Sequence, residues 1–176
     1  MGIAPSLQRY LNAHPVPFTL VEHCYAEGSY NTTKAAAIPA KNLVKAVLFR
    51  DEDFNYTLAL VPGCNKVLRY TMNQIFDRYM ELADEEECSR LFPDCLNGAI
   101  PPIGQAYGIN VIWDDELLDS ETLWLQAGDH RHLLQLKTAA FVELMKNALH
   151  EPISSNKPYH PPPKLLSQPY FGLGLY

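Results

Sequence analysis

Two apolar segments joined by a short acidic turn constrain the fold of this chain more than any other feature. Residues 43–50 and 56–61 are rich in valine, leucine and aromatic side chains and have the length of single strands. The residues between them include Asp51, Glu52, Asp53 and Asn55, which favour a turn. A connection this short joins antiparallel neighbours, so the sequence predicts a β-hairpin.

Further strands and helices follow in mixed order. Spacing predicts helices at residues 5–13, 71–79 and 84–92. A short helix is predicted at residues 34–38, with Thr32 or Thr33 as its cap, and a longer one at residues 138–149, which begins at Thr138. Strands are predicted at residues 18–22, 109–113, 123–125 and 133–136. Because this order is not a regular βαβ alternation, we predict an α+β fold with a mixed, largely antiparallel sheet surrounded by helices.

The length of 176 residues fits one domain, which we place at residues 1–150. Residues 158–169 contain five prolines, and we expect an extended, proline-rich tail over residues 151–176. The first residues lack the pattern of a secretory signal, and no apolar run approaches the ~20 residues of a membrane span. We therefore expect a cytoplasmic protein. The four cysteines show no paired spacing and are expected to be reduced thiols.

Charge is distributed unevenly along the chain. The net charge is −6, but residues 34–69 carry six cations and three anions, for a local net charge of +3. This balance excludes a general nucleic-acid binder and suits a partner with one or a few phosphates rather than a DNA duplex or a membrane. A solvated basic surface without a partner fits the same numbers.

A loop rich in glycine and proline occupies residues 98–104, Gly-Ala-Ile-Pro-Pro-Ile-Gly. Proline fixes φ and has no N–H, whereas glycine allows positive φ and the close approach of a ligand. We expect the five remaining N–H groups of the loop to be free. Such donors can bind a phosphate, a carboxylate or a carbonyl oxygen that is gaining charge. A tight corner without a ligand has the same composition.

Two further features could carry chemistry. Lys45 interrupts an apolar strand, so it either reaches solvent at the sheet edge or points into a site. His130 and His132 have the spacing of two ligands on one strand face, but no third ligand is evident, and we predict no metal. The sequence shows no Ser-His-Asp order, phosphate-binding loop or dinucleotide fingerprint, and we predict no cofactor.

Five segments in this order resemble the YbaK/EbsC family of aminoacyl-tRNA editing domains, which includes the freestanding prolyl-tRNA deacylases. The resemblance covers about residues 18–145. The matching segments are Thr32-Thr33-Lys34-Ala35-Ala36, residues 44–49, the loop 98–104, Asp115-Glu116 with Leu118, and Ala127-Gly128-Asp129-His130.

The resemblance implies hydrolysis of the ester that joins a small amino acid to the 3′ end of a mischarged tRNA. It implies no protein nucleophile and no metal, and water assisted by the ribose hydroxyl of the substrate would attack the ester. Lys45 would hold the phosphate of the terminal adenosine, and the loop would bind near the ester. The residues so implied are, for catalysis, Lys45, Gly98, Ala99 and Gly104, and, for substrate binding, Thr32, Thr33, Ile100, Pro101, Pro102, Ile103, Gly128, Asp129 and His130.

Several alternatives stay open at the level of sequence, among them a protein-interaction adaptor that acts through the proline-rich tail. In the prolyl-tRNA deacylases the lysine is followed by asparagine, whereas here Ala46 follows Lys45 and the Lys-Asn pair is Lys41-Asn42. The chain could also be a non-catalytic module that binds a tRNA 3′ end or a nucleotide and docks on an aminoacyl-tRNA synthetase. Either function makes the tRNA 3′ end the expected partner.

Overall fold

The computed structural model describes residues 2–157, in which one mixed sheet of eight strands is flanked by helices on both faces and accompanied by a two-stranded sheet. The strands are β1 (Thr19–Glu22), β2 (Leu43–Arg50), β3 (Tyr56–Pro62), β4 (Lys66–Val67), β5 (Glu81–Leu82), β6 (Asn110–Trp113), β7 (Thr122–Gln126), β8 (His132–Lys137), β9 (Leu149–His150) and β10 (Ser154–Ser155). The helices are α1 (Pro5–Ala13), α2 (Gly28–Ala35), α3 (Arg69–Phe76), α4 (Glu85–Leu91) and α5 (Thr138–Leu144). Short 3₁₀ helices span Ala40–Asn42, Gly104–Tyr107 and Asp115–Asp119.

The predicted hairpin is confirmed and forms the centre of the sheet. Strands β2 and β3 pair antiparallel without a break from Val44 opposite Pro62 to Arg50 opposite Tyr56. The large sheet has the order β1-β8-β7-β2-β3-β6-β9, and β5 also pairs with β2. The pairs β1–β8, β7–β8, β2–β3 and β2–β5 are antiparallel, whereas β2–β7, β3–β6 and β6–β9 are parallel. This is the mixed, mostly antiparallel α+β sheet that the order of elements predicted.

Strict alternation along the central strands divides the core in two. On β2, Val44 and Leu48 belong to a large apolar cluster, and Phe49 belongs to a smaller one. Strand β3 alternates in the same way. Because successive side chains point to opposite faces, the two clusters lie on opposite faces of the sheet. Helices α1 and α5 and the glycine-proline loop cover the face of the large cluster, and α3 covers the other face.

Helix α4 begins as its sequence predicted. The amide N–H of Glu87 donates to Asp84 Oδ1 at 2.8 Å, and the N–H of Asp84 donates to Glu87 Oε2 at 2.9 Å. These two bonds form a capping box, and Glu85, Glu86 and Glu87 fill the first turn, where the helix dipole favours anions.

The predicted limits of three other helices are wrong. Helix α2 begins at Gly28 instead of after Thr33, and both threonines are buried inside it. Helix α3 begins at Arg69 after Leu68, so Thr71 does not cap it. Helix α5 ends at Leu144, because Leu149 and His150 pair with β6 as a parallel edge strand. In each case tertiary burial or strand pairing outweighed a local signal.

The first residues of the predicted tail pack on the domain. Ile153 is fully buried, and its N–H donates to Asp114 Oδ2 at 2.9 Å. Ser154 and Ser155 pair antiparallel with Val67 and Lys66. The rest of the predicted proline-rich tail, from residue 158 onward, lies outside the described residues.

Candidate functional site

A cavity of about 470 Å³ lies between the start of α2, helix α4, the glycine-proline loop and the β7–β8 turn. The β7–β8 turn supplies His130, and the loop supplies Gly98 and Ile100. The remaining lining residues are Glu27, Gly28, Glu85, Cys88, Ser89, Phe92, Cys95, Leu96 and Asn97. Among the residues predicted for the site, the structure therefore brings together Gly98, Ile100 and His130.

Gly98 holds the loop in a conformation that favours glycine. Its φ is +81°, where other residues are strained, and a Cβ there would lie 3.7 Å from His130 Cε1. Within the described residues the N–H groups of Gly98 and Ile100 donate no hydrogen bond. The expectation of five free N–H groups is wrong for Ala99, which is fully buried and donates to the Leu96 carbonyl at 2.9 Å.

The second half of the loop anchors it in the core. Pro101, Pro102, Ile103 and Gly104 are all buried, and Ile103 belongs to the large apolar cluster. A Cβ on Gly104 would lie 2.8 Å from Val111 Cγ2, so only glycine fits without displacing β6. Gly104 is therefore placed as a packing residue, about six residues along the chain from the end of the loop that lines the cavity.

His130 is the buried polar group of the cavity wall, with 3% of its surface exposed. Its Nε2 lies 2.8 Å from the carbonyl oxygen of Asn97. Because a carbonyl only accepts, Nε2 carries the proton of the neutral ring, and Nδ1 is then an acceptor. Nδ1 has no hydrogen-bond partner in the structure. The Tyr25 ring packs edge-on against the imidazole, with 5.3 Å between the ring centroids.

The turn that carries His130 is fixed by Gly128 and Asp129. Gly128 has a φ of +108°, and a Cβ there would lie 2.6 Å from the Cβ of Ala4. The buried Asp129 carboxylate accepts from the N–H groups of Arg131 and His132 and from His132 Nδ1 at 2.8 Å. Neither Gly128 nor Asp129 lines the cavity, so the structure places both as supports of the turn.

Thr32 and Thr33 lie on the buried side of α2, and their hydroxyls make hydrogen bonds inside the protein. Thr32 Oγ1 lies 3.4 Å from the Ala26 carbonyl and accepts from Gln126 Nε2 at 3.4 Å. Thr33 Oγ1 donates to the Tyr30 carbonyl at 2.9 Å. The Thr32 hydroxyl links α2 to β7 and the Thr33 hydroxyl bonds within α2, and neither residue lines the cavity.

Lys45 lies on the opposite face of the sheet from the loop. It shares its face of β2 with Val47 and Phe49, which pack in the smaller cluster, and its Nζ donates to the Asn65 carbonyl. Burial lowers the pKa of Lys45, and the neighbouring Lys66 lowers it further, against an opposing effect of Cys64. Lys41 is exposed in the 3₁₀ helix that precedes β2. The structure brings neither lysine into the cavity.

The electrostatics of the cavity favour a cation over an anion. Glu27 and Glu85 are its charged lining residues, and no lysine or arginine lines it. Burial raises the pKa of the Cys95 thiol to about 12 and also raises that of Cys88, so both thiols are neutral at pH 7. Phe92 and Ile100 add apolar surface.

Sequence reasoning missed the contribution of α4 to this cavity, although a signal was present. Glu85, Cys88, Ser89 and Phe92 recur at positions i, i+3, i+4 and i+7, which is one face of a helix. The partner of that face, the start of α2, is 57 residues away from Glu85 at Gly28, and only the folded chain joins them.

Within residues 2–157 there is no group of three or more His, Cys, Asp or Glu side chains arranged to hold a metal ion. The histidine pair is engaged elsewhere, since His130 donates to Asn97 and His132 pairs with Asp129. No helix of the described part is both long and apolar enough to cross a membrane.

Solved structures with the same fold cover most of the chain. A candidate trans-editing enzyme for prolyl-tRNA synthetase superposes with a TM-score of 0.75 at 21% identity, over 86% of this chain and 96% of its own. A hypothetical protein superposes with a TM-score of 0.77 at 17% identity, over 85% and 99%. A candidate signal-transduction protein from Marinobacter aquaeolei matches at 0.69 and 14% identity, over 85% of this chain but 30% of its own. Likeness at these identities establishes the fold.

Comparison with curated proteins gives no significant match. The sequence profile of the aminoacyl-tRNA editing domain, in contrast, matches residues 28–144. That span begins with the first residue of α2 and ends with the last residue of α5, so it contains the loop, the β7–β8 turn and every lining residue of the cavity except Glu27. This chain belongs to the aminoacyl-tRNA editing domain family.

Proposed function

We propose that this protein is a trans-editing hydrolase that removes a small, wrongly attached amino acid from a tRNA by cleaving the ester at its 3′ end. One observation carries the proposal. A buried imidazole with an unpartnered acceptor nitrogen, His130 Nδ1, lines the same cavity as the unengaged N–H groups of Gly98 and Ile100.

These groups match the needs of ester hydrolysis. Water attacks the ester carbonyl, and its proton passes to Nδ1 of His130 directly or through the neighbouring ribose hydroxyl. The N–H groups of Gly98 and Ile100 stabilise the negative charge that forms on the carbonyl oxygen, a contribution of roughly 3–4 kcal/mol for one well-placed donor. The 3′ oxygen then leaves with a proton. An ester is already activated, so positioning and charge stabilisation can suffice.

The charge of the cavity supports an aminoacyl ester as the substrate. Glu27 and Glu85 attract the α-ammonium group, which the ester retains. A free amino acid also carries a carboxylate, which these side chains repel. A volume of about 470 Å³ has to hold the terminal nucleoside as well as the aminoacyl group, which favours a small side chain.

Lys45 has a different part in this proposal from the one the resemblance implies. Since it lies on the far face of the sheet, we propose that it contributes to binding of tRNA phosphates and not to the ester-cleaving step. The substrate is a molecule of translation, so the proposal includes the cytoplasmic location and allows a synthetase as a transient partner.

Single-turnover deacylation over a panel of mischarged tRNAs tests the proposal. We expect release of one or a few small amino acids by the wild-type protein and loss of that release in His130→Ala. His14→Gln is the matched control, because His14 is exposed at the end of α1 and outside the cavity. A protein that binds tRNA but releases no amino acid from any member of the panel is the non-catalytic module, and the proposal fails.

A further inference from the structure

A groove of about 710 Å³ forms a second concave surface, which shares no lining residue with the cavity described above. It lies between β4, the start of α3 and residues 155–157, and we call it the basic groove. Its lining residues are Cys64, Lys66, Val67, Leu68, Arg69, Tyr70, Asn73, Ser155, Asn156 and Lys157. Helix α3 packs on the smaller apolar cluster, so the groove lies on the opposite face of the sheet from the loop.

The charge of the groove contrasts with that of the whole protein. Lys66, Arg69 and Lys157 line it and no carboxylate does, although the chain has a net charge of −6. None of the ion pairs formed within residues 2–157 involves these three cations. Three exposed cations without acidic partners leave a local positive field that attracts an anion.

The backbone adds to that field. Helix α3 starts at the groove with Leu68 as its N-cap, and it has no capping side chain and no acidic residue in its first turn. Its first N–H groups are therefore available to an anion, in contrast to those of α4, which the Asp84 and Glu87 carboxylates cap. Lys45 adds a further cation near the groove, since its Nζ donates to the carbonyl of Asn65, which lies in sequence between the lining residues Cys64 and Lys66.

An exposed aromatic ring stands beside the cations. Tyr70 is 60% exposed and lines the groove, and Arg69 lies over the Tyr79 ring at 5.6 Å from its centroid. Cations interleaved with exposed aromatic side chains are the combination that binds the backbone and bases of an RNA strand.

We infer that the basic groove binds phosphates of the tRNA outside the aminoacylated end, so that one tRNA contacts both faces of the sheet. This inference rests on the proposed function for the identity of the RNA. A ligand that reaches both the cavity and the groove has to extend well beyond one nucleotide, which a tRNA does and a free nucleotide does not. The cavity, lined by two carboxylates, repels phosphate, so the phosphate contacts have to be made elsewhere.

The test measures binding of an uncharged tRNA transcript as a function of salt, which does not depend on hydrolysis. In Lys66→Ala/Arg69→Ala we expect weaker binding and a slope of log K against log salt that is smaller by roughly 1.4–1.8, the value for two lost phosphate contacts. The control is Lys137→Ala/Lys146→Ala, which removes the same charge from exposed lysines that pair with Glu121 and Glu143, and its slope should stay at the wild-type value. Melting temperatures show that both variants fold.

An unchanged slope in Lys66→Ala/Arg69→Ala would overturn the inference. An equal loss of tRNA affinity in both double variants would also overturn it, because the net charge of the protein and not the groove would then govern binding. If Lys66→Ala/Arg69→Ala weakens binding to phosphatidylserine vesicles more than binding to tRNA, the groove is a membrane-binding surface and the inference is wrong. The probe carries no amino acid, so its binding does not depend on hydrolysis. If the salt slope changes in Lys66→Ala/Arg69→Ala but the protein deacylates no tRNA, the inference stands and the proposed function fails.

Discussion

The two faces of the central sheet differ in charge and in the side chains that line their concave surfaces. The cavity on the loop face has a buried imidazole, two carboxylates and no cation. The groove on the other face has three cations, an exposed tyrosine and no carboxylate. The same strands form both faces, since alternate residues of β2 and β3 face opposite sides. The two proposals assign cleavage of the ester to one face and attraction of the polyanion to the other, so that the acidic and basic surfaces stay apart.

The strongest test of the separation is His130. Replacing it by alanine removes the one buried, unpartnered acceptor of the cavity, and we expect single-turnover deacylation to fall about 10²-fold or more, the scale of a lost proton acceptor. Binding of uncharged tRNA should stay near the wild-type value. A large loss of tRNA binding in this variant would show that the two faces do not divide the work.

The two ends of the glycine-proline loop offer a matched pair. Gly98→Val should slow hydrolysis by roughly 10²-fold, because valine is strained at a φ of +81° and displaces the N–H donor. Gly104→Ala should instead lower the melting temperature, because its Cβ would overlap Val111. Melting and single-turnover rates measured on the same preparations check both. A Gly98→Val protein that is fully active per folded molecule would remove the loop from the site.

Lys45 tests the comparison from the other face. We expect Lys45→Ala to lower kcat/KM by about tenfold, as for one lost charge-assisted phosphate contact. The loss should appear as a higher KM, with little change in kcat. A lower kcat would instead indicate that Lys45 acts at the ester, and the proposed division between the two faces would be wrong. No effect on either constant would transfer the predicted role to Lys41.

The smallest expected effect concerns the stability of the cavity wall. The N–H of Asp84, and then the Tyr56 hydroxyl, lower the pKa of the Glu87 carboxyl from its usual 4.5. Because folding favours the ionised form of Glu87, this carboxylate adds to the free energy of unfolding above its unfolded-state pKa. That contribution is lost as the pH falls through its pKa in the folded state. Wild type should therefore be more stable than Glu87→Gln at pH 6, and the difference should shrink toward pH 3. Urea unfolding at several pH values measures this, and a constant difference would contradict it.

Local features of the sequence determined the central hairpin, the β7–β8 hairpin, α1 and the capping box of α4. Each depends on residues close together in the chain, such as the acidic turn after Arg50 or Asp84 three residues before Glu87. The resemblance carried by the short segments then led to the editing family, which the match over residues 28–144 establishes. Residues 98–103 form the predicted loop, and two of them, Gly98 and Ile100, line the cavity.

Which residues share a surface depends on contacts between parts of the chain that are distant in sequence. Strand periodicity assigns Lys45 a face, but the helix that covers that face is set by packing of Met72 in α3 and not by any residue near Lys45. Likewise, His130 became a buried group with an unpartnered nitrogen because the Asn97 carbonyl, 33 residues earlier, reaches its Nε2. Side-chain surroundings come from contacts distant in sequence, and those contacts form only when burial of the whole core makes one arrangement more stable than the rest.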